Sequence, residues 1–428
     1  MGKNMKKVLL IAFYFNQVNE IASKRLRALA KYLPEYGWEP IVIVPNLGKL
    51  NMEGLNCEVI QTPYEDMMDK WLKRQSTEKV ENTQPVIRDS TSVDNKLLSK
   101  IVTFAGEIFA YPDGMKYWYE PAMEYSSKII EEENINAIIS SSWPVTAHKI
   151  GKDLKKKYNL PWIADLRDLW NMNPYINHTH IRNYFEKRLE INTFNYADAL
   201  TTTTPLAATT LSQLHPNNLI QAIPSGYDPD DFKKINTLTE NKNTKLNITY
   251  AGSLYAGKRD PTILFEALKQ LIDEKLIKED KIQLNFYGDS GNLKEIAEKY
   301  DLKSTLNIGG FIPHEEVLEK ESQSDILLLI SWNNPKEQMF IPGKVYEYLA
   351  LKKPILSIGY KQGSLKDLIT ETGIGFHVSS LNDTKEALLK FYNEFNENNI
   401  ITFKANESID KFSMKNTASN FAKLLNQI

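Results

Sequence analysis

The ten residues KKVLLIAFYF, 6–15, carry apolar side chains at consecutive positions after two lysines, with no alternation. A strand with one wet face shows a period of two, so an unbroken run belongs in a sheet covered on both faces. Such a sheet needs helices on each side, and the sequence supplies the first at once. In EIASKRLRALAKYLPEYG, Ile21, Leu26, Leu29, Ala30 and Leu33 keep helical spacing, and Gly37 closes the helix. WEPIVIVP, NAIISSSW, PWIADLRDLW, ADALTTTT and NLIQAIPSGYD read as further strands, with a helix over 145–158 and another ahead of ADALTTTT. Strands alternating with helices imply right-handed crossovers and a parallel, doubly wound sheet.

The pattern restarts at KLNITYAGSL and continues through KIQLNFYGDSG, STLNIGGFIP, SDILLLISW, PILSIG and GIGFHVSS, with helical stretches between them. Between the two sets lies PSGYDPDDFKKINTLTENKNTKL, polar and rich in turn residues at its start, the composition of a linker. The expected fold is therefore α/β, with two doubly wound Rossmann-like domains facing across a cleft. Residues 1–222 form the first domain, 223–245 the hinge and 246–405 the second, and a terminal helix over 406–428 packs back on the first. A chain of 428 residues is long enough for this. Residues 65–115 fit the scheme least. They hold a polar loop and then an aromatic-rich amphipathic helix, with Leu98, Ile101, Phe104, Ile108 and Phe109 near Lys96 and Lys100. That helix packs on the domain or, in the sharper reading, makes peripheral membrane contact through 96–118.

Composition matters for what it excludes. A formal net charge of −2, from 52 basic and 54 acidic residues, leaves no bulk positive field, so no nucleic-acid partner is expected. The single cysteine, Cys57, rules out an internal disulfide framework and suggests a reducing compartment. No apolar run approaches the roughly 18–20 residues that span a bilayer. The basic N-terminus precedes a short apolar run without a cleavage site. A cytoplasmic location is expected, with association to the inner face of the membrane if the aromatic helix makes contact there. No Walker loop, zinc-type Cys/His spacing or G-x-S-x-G occurs, and the first strand leads into NQVNE rather than a glycine-rich dinucleotide turn.

Ligands of doubly wound sheets bind at the carboxyl ends of strands, so the residues there are the candidates. YAGSLYAGKRDP places Gly252, Ser253, Gly257, Lys258 and Arg259 after the first strand of the second set. Glycine backbone and two cations suit a diphosphate, and a solvated basic turn is an equal alternative. FYGDSG and IGGFIP put Gly288, Gly310 and Phe311 after the next strands, where a flat nucleobase could lie. In PGKVYE, Pro342 and Gly343 open a helix whose amides can face an anion, Lys344 adds charge, and Glu347 could accept from ribose hydroxyls. The alternative is an i,i+3 surface pair worth about 0.2–0.5 kcal/mol. In the first set, PWIADLRDLW carries Asp165, Arg167 and Asp168 between Trp162 and Trp170. These form either a structural ion-pair cluster or the catalytic acceptor site, with a carboxylate on a hydroxyl and Arg167 near a phosphate. The serines of SSSWPVTAHKIG, with Thr146 and His148, cap the next helix or line the same place. Asp228 and Asp230 are turn chemistry rather than a metal pair.

These phrases resemble a family. IPSGYDPDDF, YAGSLYAGKRDPTILFEAL and PGKVYEYLALKKPILSIG look like GT-B glycosyltransferases of the family 4-like group, and RALAKYLPEYGWEPIVIV with LPWIADLRDLW resembles a bacterial surface-polysaccharide branch. The resemblance implies sugar transfer from a nucleotide-sugar donor, held by the second domain, to a hydroxyl of a glycan or lipid-linked acceptor held by the first. It implies retention, and neither metal nor other cofactor. Glu347 matches the second glutamate of the Glu-x7-Glu motif, which holds the donor ribose. Lys258 or Arg259 matches the basic residue on the diphosphate, the surroundings of Gly343 match the phosphate nest, and Arg167 falls where many members keep a histidine. The sequence departs from the pattern at Met339, the place of the first glutamate, at Ser253, the place of an arginine, and in the glycine pair missing after the first strand. A nucleotide-sugar epimerase or a non-catalytic binding protein on the same scaffold are the alternatives.

Overall fold

A computed structural model of the chain describes residues 5–16, 21–65, 111–173, 175–176, 178–233, 243–401 and 406–428. The expected loop and most of the aromatic helix, up to residue 110, lie outside these. The chain divides into two compact units, one of residues 1–203, 208–223 and 418–428, the other of 204–207 and 224–417.

The first unit runs β1 (Lys6–Ile11), α1 (Ile21–Tyr32), β2 (Trp38–Pro45), β3 (Glu58–Thr62), α2 (Tyr119–Glu132), β4 (Ile135–Ser141), α3 (Thr146–Tyr158), β5 (Trp162–Leu166), α4 (His180–Phe194), β6 (Ala199–Thr202), α5 (Pro205–Leu214) and β7 (Leu219–Ala222). Its seven strands are ordered β3-β2-β1-β4-β5-β6-β7, all parallel. The unbroken apolar run of β1 follows from its place between β2 and β4, with Val8 to Ile11 fully buried. α1 stops at Tyr32 because Pro34 cannot continue an α-helix. A 3-10 turn over Leu33–Tyr36 follows, and Gly37, at φ +85°, turns the chain into β2. The edge strand β3 escapes a reading by apolar runs because EVIQT is polar and only half-buried. PWIADLRDLW yields a strand of five residues, Trp162–Leu166, and the remainder leaves the sheet.

The second unit runs β8 (Leu246–Ala251), α6 (Thr262–Asp273), β9 (Ile282–Tyr287), α7 (Leu293–Lys299), β10 (Leu306–Gly310), α8 (His314–Ser322), β11 (Ile326–Ile330), α9 (Lys344–Leu351), β12 (Ile355–Ile358), α10 (Ser364–Thr372), β13 (Gly375–Val378) and α11 (Leu381–Asn398). α12 (Met414–Gln427) closes the chain. The six strands are ordered β10-β9-β8-β11-β12-β13, again all parallel. Two buried clusters cover the sheet. One joins α6 and α11 through Phe265, Leu268, Leu388 and Phe391, and the other joins α9 and α10 through Tyr348, Leu349, Leu365 and Ile369. In the linker, the Asp230 amide donates to Asp228 Oδ1 at 3.0 Å, an Asx turn.

Candidate functional site

In the second unit the ends of β8, β9 and β10 are zipped together beyond the strands. The Gly252 amide donates to the Tyr287 carbonyl at 2.9 Å, and the Gly288 amide to the Gly310 carbonyl at 2.7 Å. A Cβ on Gly288 would lie 2.5 Å from the Gly252 carbonyl oxygen, so the missing side chain makes room for a neighbouring backbone. The expectation that these glycines offer amides to a diphosphate, or room to a base, is corrected at Gly252 and Gly288: both amides are spent on the next strand. Gly310 differs. At φ +68° its Cβ position meets nothing within 4 Å, and Phe311 after it is 84% exposed.

Ser253 organises the turn that follows β8. Its Oγ bridges Asp289 and the Tyr255 amide, both at 3.2 Å, and its carbonyl accepts from Tyr250 Oη at 2.9 Å. The turn carries both cations on aromatic faces. The Arg259 guanidinium lies 4.3 Å from the Tyr255 ring centroid, and Lys258 Nζ lies 5.2 Å from that of Trp332. These contacts hold both cations at the strand end.

α9 opens where the sequence placed it. Gly343 sits at its N-cap with helical dihedrals, and the first intrahelical bonds run from Val345 to Pro342 and from Tyr346 to Gly343. The amides of Gly343 and Lys344 donate to no group among the described residues, as expected of a helix start. Val345, Tyr348 and Leu349 anchor the buried face. Lys344 and Glu347 form the i,i+3 pair at 2.9 Å that the sequence offers as the alternative. A second contact goes beyond it. Lys344 Nζ also lies 3.0 Å from Glu321, whose side chain at the end of α8 is wholly buried. Burial opposes the ammonium charge, but Glu321 and Glu347 together hold the pKa above the ordinary lysine value. Lys344 is therefore a pinned cation, and Glu347, 14% exposed, is the carboxylate that still reaches solvent.

In the first unit, Asp165 corrects the sequence reading. It lies within β5, wholly buried, and receives Arg25 Nε at 3.0 Å, Arg25 Nη2 at 2.9 Å, Ser141 Oγ at 2.9 Å and Thr201 Oγ1 at 2.8 Å. Burial works against this carboxylate, yet Arg25, Thr201 and Ser141 keep its pKa below the usual range. With both oxygens spent it is a structural hub that ties α1, β4, β5 and β6, not a base for a substrate. Arg167 lies just past the strand. Its Nε donates to the Ser142 carbonyl at 2.7 Å, and its terminal nitrogens donate to no group among the described residues. Burial lowers its pKa, and Asp168 and Asp165 oppose that. Asp168 is half-buried beside it, with its carbonyl accepting from Ser142 Oγ at 3.5 Å. Of the three candidates, only Arg167 and Asp168 are left to meet a ligand.

The neighbouring serines and His148 are internal wiring. His148 is wholly buried, with Nδ1 2.8 Å from Ser140 Oγ, which also accepts Trp162 Nε1 at 2.8 Å. Thr146 opens α3 by donating its amide to Asp113 at 2.7 Å. Burial pushes the His148 pKa down to about 3, against an opposing pull from Asp165. The folded chain thus refuses a proton that the unfolded chain accepts below pH 6.5. Stability from this site is complete above pH 6.5 and is lost as pH falls towards 3, by up to about 4–5 kcal/mol. Urea unfolding followed against pH should show a shallower acid slope in His148→Leu, and an unchanged slope would refute the assignment.

Arg25, Asp113 and Glu321 escaped the sequence reading, although two of them left a trace. Arg25 lies four residues from Leu29 and Glu321 three from Leu318, each on the apolar stripe of its helix. A charge on such a stripe signals a buried partner. Asp113 has no such mark. Among the described residues there is no cluster of three or more His, Cys, Asp or Glu able to hold a metal, and no helix long and apolar enough to cross a membrane.

The sequence profile of the glycosyl transferases group 1 family matches residues 231–408. No curated protein matches the sequence at a significant level. Among solved structures, the sucrose-phosphate synthase of Thermosynechococcus elongatus aligns at TM-score 0.61 and 14% identity over 99% of this chain and 98% of its own. A glycosyltransferase from Rickettsia africae aligns at 0.62 and 14% identity over 99% of both chains. HepE from Anabaena, solved in complex with UDP-glucose, aligns at 0.51 and 13% identity over 98% and 97%. At these identities the likeness establishes a common fold.

Proposed function

We propose, from the premise that this is a GT-B chain whose second unit matches the glycosyl transferases group 1 family, that it moves a sugar from a nucleotide-sugar donor to an acceptor hydroxyl. The second unit takes the donor, and the first takes a glycan or lipid-linked acceptor in cell-surface glycan assembly. The observation that carries this reading is the start of α9, where two uncommitted amides and a pinned lysine stand beside a reachable carboxylate, Glu347. Helix-start amides and the cations Lys258, Arg259 and Lys344 suit the diphosphate that departs in such a transfer. Those three cations supply the charge that a metal would otherwise bring. Glu347 accepts from the ribose hydroxyls, and the open backbone at Gly310 with the exposed ring of Phe311 suits a nucleobase. Retention follows from the family resemblance alone, and Arg167 with Asp168 serves the acceptor side.

UDP is the first nucleotide to test, because HepE is described with UDP-glucose. Calorimetric titration with UDP and the other nucleoside diphosphates should reveal one that binds and raises the melting temperature. Glu347→Ala should then weaken that nucleotide roughly ten- to a hundredfold, the scale of a charge-assisted hydrogen bond, with little change in the melting of the free chain. Equal affinity in wild type and variant removes Glu347 from the site, and no binding by any nucleoside diphosphate removes the donor site. Product analysis with donor alone separates transfer from epimerisation, since only an epimerase converts the sugar without an acceptor.

A further inference from the structure

α4 is built inside out. Its charged residues Arg182, Glu186 and Glu190 fall at i, i+4 and i+8 and are buried, whereas Ile181, Tyr184 and Phe185 are 59%, 57% and 54% exposed. The buried stripe meets partners inside the fold: Arg182 donates to the Pro112 carbonyl at 2.7 Å and pairs with Glu186 at 2.5 Å, and Trp170 Nε1 donates to Glu186 at 2.6 Å. The outward stripe, Ile181, Tyr184, Phe185 and Arg188, keeps the i, i+3, i+4, i+7 spacing that a helix normally turns towards a core. Arg188 donates to Tyr184 Oη at 2.9 Å, and Lys187 is exposed beside it. No carboxylate of this helix is exposed. The chain that anchors at Tyr111, whose Oη donates to the Phe185 carbonyl at 3.4 Å, continues to Lys116 and to Tyr117, which is 46% exposed.

We propose that this face of α4 is a membrane-docking surface that seats on an anionic lipid bilayer. Charge chooses the occupant. Large amphipathic side chains flanked on this helix by Lys187 and Arg188 match the interfacial zone of a bilayer with negative headgroups, where tyrosine and phenylalanine rings sit at the boundary and lysine and arginine reach the phosphates. The surface lies on the first unit, so the enzyme works on substrates presented at the lipid surface. This placement stands whether or not the second unit binds a nucleotide.

The test is co-sedimentation of the full chain with vesicles of phosphatidylcholine mixed with phosphatidylglycerol, against phosphatidylcholine alone. The wild type should sediment with the anionic vesicles, and rising salt should release it. Ile181→Ser/Tyr184→Ser/Phe185→Ser should stay in the supernatant with unchanged melting. Lys187→Glu/Arg188→Glu should lose about tenfold or more in affinity for the anionic vesicles. Wild type that ignores both vesicles, or a triple variant that binds as well as wild type, overturns the proposal. So does self-association lost in the triple variant without vesicle binding, which assigns the face to a second copy of the chain.

Discussion

Arg25→Ala is expected to unfold the first unit at a much lower urea concentration, with a loss of about 3–5 kcal/mol. The pair is fully out of water: both side chains are at most 1% exposed, and Arg25 grips Asp165 through two nitrogens. Removing the guanidinium leaves a carboxylate supported, among the described residues, by the Ser141 and Thr201 hydroxyls, in a place where water cannot replace the lost cation. The guanidinium also lies 5.1 Å from the Phe421 ring centroid, so truncation removes packing as well as charge. The cost belongs to the orphaned carboxylate rather than to the pair as such. The double variant Arg25→Met/Asp165→Leu should therefore recover much of the loss. Tryptophan fluorescence during urea unfolding measures both. A double variant as unstable as the single one would show that packing, not charge, sets the cost.

Lys344→Met should destabilise the second unit by a similar amount, because Glu321 is wholly buried and Lys344 lies 3.0 Å from it. Lys344→Met/Glu321→Leu should restore folding. It also separates the two roles of the lysine. If Lys344 meets the donor diphosphate, the refolded double variant binds nucleoside diphosphate more weakly than wild type while its affinity for the nucleoside is unchanged. If Lys344 serves only to neutralise Glu321, the double variant binds both as wild type does. A stable Lys344→Met single variant would remove the buried pair from the account altogether.

Much of the fold was legible because hydrophobic periodicity is a local property. KKVLLIAFYF announced the centre of a doubly covered sheet, and WEPIVIVP coincides with β2 residue for residue. α11 was passed over although Ala387, Leu388, Phe391, Tyr392 and Phe395 keep helical spacing and Ser380 Oγ caps its start, accepting the Asp383 amide at 3.2 Å. That miss had a visible signal. The edge strand β3 had none, because one neighbour and a half-wet surface demand no apolar run.

The candidate site divides differently. That Gly343, Lys344 and Glu347 share a helix start was settled by the order of residues, since a proline, a glycine and an i,i+3 spacing act within one turn. Which of the carboxylates near the cations would be buried and consumed inside the fold was not. Asp165 and Arg25 are 140 residues apart, and nothing near Asp165 in the chain foretells the arginine that consumes it. Gly252 and Gly288 look like ligand glycines, but their amides are spent on the neighbouring strand ends, and Gly288 gives clearance to the Gly252 backbone, where a side chain would collide. The inverted face of α4 also needed tertiary structure, since its charges are buried only because Pro112 and Trp170 come to meet them. Local periodicity determined the elements and their order. Contacts between distant segments, which alone decide whether a polar group is already satisfied, determined which side chains remain to meet a ligand.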